Sequence, residues 1–151
     1  MRIISRLGDL KSMVGEELAV SNWFVVDQAR INQFADATGD HQWIHVDPER
    51  SAAGPFGTTI AHGFLTLSML PLFIQDALRF DDVRMSVNYG LNRVRFTSPV
   101  SVGSELRARF RLVGLEDVAG NGMQVTMEAV IERKGSDKPV CVAETISRRY
   151  V

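Results

Sequence analysis

Two hydrophobic spacings divide this chain. Between residues 27 and 78 apolar side chains recur at helical intervals, and beyond residue 100 they alternate with polar ones. Ile31, Phe34, Ala35 and Thr38 share one face of a helix over 28–38, with Asp27 placed to cap it and Gly39 to end it. The segment 60–78 is apolar nearly all round, which predicts a buried helix enclosed by protein and bent or divided at Pro71. In the second half Leu106, Ala108, Phe110 and Leu112 alternate with Glu105, Arg107, Arg109 and Arg111. Met123, Val125, Met127, Ala129 and Ile131 repeat the pattern, and Gly120-Asn121-Gly122 between the two runs predicts a hairpin turn. Further strands are expected over 22–26, 84–89, 93–96 and 140–146, and short helical pieces over 9–18 and 50–53. A run of antiparallel strands following one buried helix belongs to the α+β class, the helix supplying what the sheet wraps.

Composition narrows the setting. A chain of 151 residues, 45% hydrophobic and 23% charged, without a Pro/Ser-rich linker or a repeat, reads as a single domain spanning 1–151. Its net charge of -1 gives no broad attraction to nucleic acid or to an anionic membrane. The most apolar stretch contains His62, Gly63 and Pro71 and runs into Gln75 and Asp76, so it falls short of a membrane span. No apolar run of signal-peptide length follows Met1, and a cytoplasmic location is the expectation. The lone Cys141 cannot form an internal disulfide and reads as a small packed side chain in a strand rather than a nucleophile.

All three histidines, His41, His45 and His62, fall in one short region together with Asp36, Asp40 and Asp47, between the first predicted helix and the apolar one. If the segment after Gly39 is extended or irregular, Asp40 and His45 converge on one small volume where a water fits between them. A carboxylate beside an imidazole suits acid-base work near neutral pH. The bland alternative is a helix cap at Asp40 and a satisfied loop histidine at His45. His41 and His45 have the i, i+4 spacing of a helical metal pair, but Gln42-Trp43-Ile44 offers no glutamate and Gly39 interrupts the helix, so no metal is expected. His62-Gly63 falls in the first turn of the apolar helix, where N–H groups lack intrahelical partners and a glycine admits a ligand oxygen close to the backbone; close helix-sheet packing at Gly63 is the alternative. Arg93, Arg95, Arg107, Arg109 and Arg111 offer phosphate contacts or, as alternate strand positions, a solvated face.

The run Phe34-Ala35-Asp36-Ala37-Thr38-Gly39-Asp40-His41-Gln42-Trp43-Ile44-His45-Val46-Asp47-Pro48 resembles the hydratase-2 motif of the MaoC-like dehydratases. Phe56 through Ser68, with Ala61-His62-Gly63 at its centre, resembles the second signature of that family, and Phe96 through Gly103 its later strand-turn pattern. The likeness runs from about Val25 onward and is closest to the nodulation-protein-N-like branch of (R)-specific enoyl-CoA hydratases. Where the wider family commonly has x-Asn-Pro-x-His after the aspartate, this chain has His41-Gln42-Trp43-Ile44-His45.

The resemblance implies a hot-dog fold, an antiparallel sheet wrapped around a long central helix, in a homodimer with its two sheets side by side. It implies a hydro-lyase that reversibly hydrates trans-2-enoyl-CoA to (R)-3-hydroxyacyl-CoA. Asp40 and His45 would act on one bound water, with the base not assigned between them, and the Gly63 backbone N–H would serve as oxyanion donor. Gln42, Trp43 and His62 are the expected substrate contacts. No cofactor is expected, coenzyme A being part of the acyl-thioester substrate. A hot-dog acyl-CoA thioesterase and a non-catalytic acyl-CoA-binding subunit are the alternatives.

Overall fold

The computed structural model describes residues 1–151. In chain order the elements are β1 (Arg2–Ile4), a 3-10 turn (Leu7–Ser12), β2 (Glu17–Val20), β3 (Phe24–Val26), α1 (Gln28–Thr38), α2 (Trp43–Val46), α3 (Pro48–Ala52), α4 (Gly63–Ser68), α5 (Leu70–Ala77), β4 (Leu78–Phe80), β5 (Met85–Arg95), β6 (Ser104–Val118), β7 (Gly122–Arg133) and β8 (Cys141–Tyr150). Six strands form one antiparallel sheet in the order β2-β6-β7-β8-β5, with β3 also pairing β6. The short β1 and β4 pair in parallel apart from it.

The alternating runs become β6 and β7, joined at Gly120 and Asn121, both at positive φ. Gly122 follows because a Cβ there would meet the Tyr150 ring at 2.6 Å. The inward positions Leu106, Ala108, Phe110, Leu112, Val125, Met127, Ala129 and Ile131 are all buried, as are Cys141 and Ala143 of β8. Burial pushes the Cys141 thiol up to about 11, so it stays a packed, protonated side chain.

Four expectations are revised. The piece over 9–18 is not one helix: its first residues belong to the 3-10 turn Leu7–Ser12, and from Glu17 the chain is β2, paired with β6, a tertiary partner that local pattern does not show. The two strands expected over 84–89 and 93–96 are one, β5, held along its length by β8 with register shifts on either side of the Gly90 region. The apolar helix begins at Gly63 rather than at residue 60, because Ile60 bridges Ser101 and the Ala61 N–H donates to the Val100 carbonyl. It divides at Met69, one residue before the turn that carries Pro71, and stops at Ala77, where Leu78 enters the pairing with β1.

That helix is also not enclosed. Leu65, Met69, Phe73 and Ala77 form a stripe at i, i+4, i+8 and i+12 that is buried against the sheet, whereas Phe64, Ser68, Pro71 and Gln75 are exposed. No helix of the chain is long and apolar enough to cross a membrane.

Candidate active site

Asp27 accepts a hydrogen bond from the Arg30 N–H and Gly39 turns left-handed at φ 80°, so α1 starts and stops where the sequence places it. Asp40 therefore begins a new direction of chain just past the helix end. The second capping aspartate, Asp47, accepts from the Arg50 N–H, and the single turn of α2 between them carries His45. Asp40 caps no long helix; its Oδ1 accepts a 3.3 Å bond from the Gln42 N–H.

His45 is buried and held from both ends. Its Nδ1 donates to the Ile60 carbonyl at 2.7 Å, and its own carbonyl accepts from Gln28 Nε2 at 2.8 Å. The Gln28 amide is oriented in turn by Thr59, whose hydroxyl donates to Gln28 Oε1. A carbonyl oxygen can only accept, so Nδ1 carries the proton and Nε2 presents a lone pair. Burial holds the imidazole below the ordinary histidine range, the Ile60 bond opposes this, and the neighbouring His62 adds to it.

His62 is 2% exposed and touches both members of the pair. Its Nε2 donates to the Asp40 backbone carbonyl at 2.9 Å and lies 4.0 Å from Asp40 Oδ2. Its ring stacks on that of His45 with centroids 3.8 Å apart and planes 23° from parallel, while Phe34 packs at 5.0 Å on a tilted approach. One carboxylate oxygen of Asp40 and one ring nitrogen each of His45 and His62 lie within 4.8 Å of one another. A water accepting or donating two bonds of about 2.8 Å spans roughly 4.6 Å, so the Asp40–His45 gap suits one solvent molecule. The same three side chains are the chain's one candidate metal cluster, but rings stacked nearly parallel direct their in-plane lone pairs side by side rather than at one point.

The remaining expected site residues separate into two groups. Gly63 opens α4, so its N–H has no intrahelical acceptor. Its missing side chain has a packing reason as well, since a Cβ would meet the Phe96 ring at 2.8 Å. Trp43 packs on Gly54, where a Cβ would meet its ring at 2.9 Å, and Arg50 lies over it at 4.4 Å. Gln42 is exposed and precedes α2. His41 is brought to neither partner: it is exposed and bonded to Asp36 at 2.9 Å, which raises its pKa. Arg107, Arg109 and Arg111 are bound to Glu132, Glu17 and Glu128 respectively, leaving Arg93 and Arg95 of β5 as the members of that set without a carboxylate partner. Gln28 and Thr59 were not singled out from sequence. A glutamine in a first helical turn and a threonine in a loop carry no local sign of meeting 31 residues apart.

Comparison with known proteins gives a consistent result. The family model for the MaoC like domain matches residues 9–134. The 3-hydroxyacyl-thioester dehydratase Z of Mycobacterium tuberculosis is 53% identical over 98% of this chain and 98% of its own length. Nodulation protein N of Rhizobium meliloti is 45% identical over 93% of this chain and 89% of its own. Among solved structures, a monoamine oxidase regulatory protein from Archaeoglobus fulgius superposes with a TM-score of 0.78 at 24% identity, over 99% of this chain and 97% of that one. The unliganded R-hydratase PhaJ1 from Pseudomonas aeruginosa gives 0.72 at 23% identity, over 91% and 81%. The antiparallel sheet packed on a helix is the hot-dog fold.

Proposed function

Because this chain belongs to the MaoC-like dehydratase family and is a hydro-lyase, we propose that it adds water reversibly to trans-2-enoyl-CoA to give (R)-3-hydroxyacyl-CoA at the Asp40–His45 pair. The observation that carries the reading is the convergence of the Asp40 carboxylate and the His45 ring within 4.8 Å, with the His45 tautomer set by the Ile60 carbonyl. In the hydration direction the water oxygen forms its bond to the β-carbon while the α,β double-bond electrons move toward the thioester carbonyl. The water proton passes to His45 Nε2, which is the free lone pair, and Asp40 orients the water through its second bond. The pair then returns that proton to the α-carbon, so that H and OH are added and nothing else is consumed. As negative charge gathers on the thioester oxygen, the unpartnered Gly63 N–H stabilises it; a donor of this kind contributes roughly 3 kcal/mol. Coenzyme A enters only as part of the substrate.

Crotonyl-CoA hydration followed by the loss of enoyl absorbance tests the assignment. Asp40→Asn and His45→Gln, both folded by circular dichroism, are expected to lose on the order of 100- to 10,000-fold in kcat. Full activity in either variant, or release of free thiol in place of hydration, overturns the reading.

A homodimer is part of the same proposal. β5 is the sheet's edge, exposed along most of its 11 residues, and it displays Met85, Val87, Tyr89 and Leu91 at alternate positions. An edge of that length and apolarity favours pairing with a second copy.

A further inference from the structure

Behind the Asp40–His45 pair, His62 Nδ1 and Thr66 Oγ1 are buried without a hydrogen-bond partner in the protein. Both side chains are 2% exposed, so neither atom reaches bulk solvent. The two residues stand one turn apart, the Thr66 N–H donating to the His62 carbonyl at 3.2 Å. Side chains at i and i+4 face one another across about 5–6 Å between Cβ atoms.

The Thr66 hydroxyl departs from the habit of the other helical hydroxyls. Thr38 and Ser68 both turn back to the carbonyl four residues earlier, that of Phe34 and Phe64, at 2.7 Å in each case. Thr66 makes no such bond to the His62 carbonyl, so its proton is left for another acceptor. The demand on the His62 side is complementary. Its Nε2 donates to the Asp40 backbone carbonyl, which can only accept, so Nε2 holds the ring proton and Nδ1 is a lone pair in need of a donor. No direct bond joins the two atoms. A water accepting from the hydroxyl and donating to Nδ1 satisfies both, spanning roughly 4.6 Å with two bonds of about 2.8 Å. Interior waters take positions of this kind, closing bonds among buried polar groups.

The tautomer of His62 bears on the catalytic pair. If the ring proton moved to Nδ1, Nε2 would turn a lone pair on the Asp40 carbonyl and the 2.9 Å bond would be lost. The Ile60 carbonyl holds the tautomer of His45 directly, whereas His62 has no protein group to do this at Nδ1. We propose that His62 Nδ1 and Thr66 Oγ1 hold one internal water between them, and that Thr66 is through it a positioning residue for Asp40, keeping His62 in the tautomer that bonds the Asp40 carbonyl. The effect on turnover rests on the hydratase reading; the water and the tautomer do not.

Thr66→Val, which keeps the shape of the side chain and removes the hydroxyl, and Thr66→Ser, which keeps the hydroxyl, test it. In protein labelled with 15N at histidine, a ring nitrogen that accepts a hydrogen bond resonates upfield of one with a bare lone pair. The His62 Nδ1 signal is expected upfield in wild type and Thr66→Ser and displaced downfield in Thr66→Val. A high-resolution crystal structure of the wild-type protein, which needs no variant, is expected to show the water about 3 Å from both atoms. In crotonyl-CoA hydration Thr66→Val is expected to lower kcat about tenfold with KM unchanged, and Thr66→Ser to retain most of the rate. An Nδ1 signal indifferent to Thr66→Val, or a direct Thr66–His62 bond with no water, overturns the internal water. Full kcat in Thr66→Val, or an equal loss in Thr66→Ser, overturns the positioning role. A wild-type protein that hydrates no enoyl-CoA sinks the hydratase reading alone, and the resonance and the crystal structure still decide the water.

Discussion

At the scale of single residues, the proposed reaction turns on how His45 is held. Its pKa is depressed chiefly by burial, so the imidazole is neutral, with Nε2 able to accept, at pH values where an exposed histidine is already half charged. The acid limb of kcat/KM for crotonyl-CoA is therefore expected below pH 6.5, and a limb above that value contradicts the role given to Nε2. The same depression has a stability consequence: as pH falls through 6.5 the unfolded chain takes up a proton there that the folded chain resists, so this site destabilises the fold on the acid side. In the proposed reaction His62 acts through its neighbours. It bonds the Asp40 carbonyl and stacks on His45, so His62→Phe keeps a ring face and loses the bond, whereas His62→Gln keeps a donor and loses the stack. Each is expected to lower kcat on the order of 10- to 100-fold with little change in KM, since a displacement of about 1 Å in a catalytic pair costs this much. A change confined to KM would instead mark His62 as a substrate contact.

At the scale of elements, the start of α4 carries two demands. The Gly63 N–H must remain open to a ligand in the proposed reaction, and its α-carbon must lie against the Phe96 ring. Gly63→Ala is expected to destabilise by about 1–3 kcal/mol through overpacking, measured by denaturant unfolding. Adding Phe96→Ala should recover much of that loss if the clash is its cause; an unchanged deficit in the double variant would show that the cost lies elsewhere. The limits of α1 were legible because capping chemistry is local: Asp27 and Gly39 act within three or four residues of themselves. The extent of the central helix was not, because Ile60 and Ala61 are taken out of it by Ser101 and Val100, 41 and 39 residues away.

At the scale of the whole molecule, the proposed homodimer pairs through the edge strand β5. Sedimentation at micromolar concentration is expected to give a dimer, and Val87→Lys with Tyr89→Lys to shift it toward monomer by placing charge in the apolar row of β5. A wild-type protein that sediments as a monomer removes the case for pairing through that strand.

Local patterns of polarity and capping fixed the α+β class, the β6–β7 hairpin, the limits of α1 and the placing of Asp40 and His45 together just beyond its stop at Gly39. These follow from interactions among near neighbours in the chain, which any sequence displays directly. The tautomer of His45, the support it receives from Gln28 and Thr59 and the bridge made by His62 arise from long-range contacts. Only the packed chain decides them, because a hydrogen-bond partner or a missing one is set by distance in space and leaves no periodicity behind.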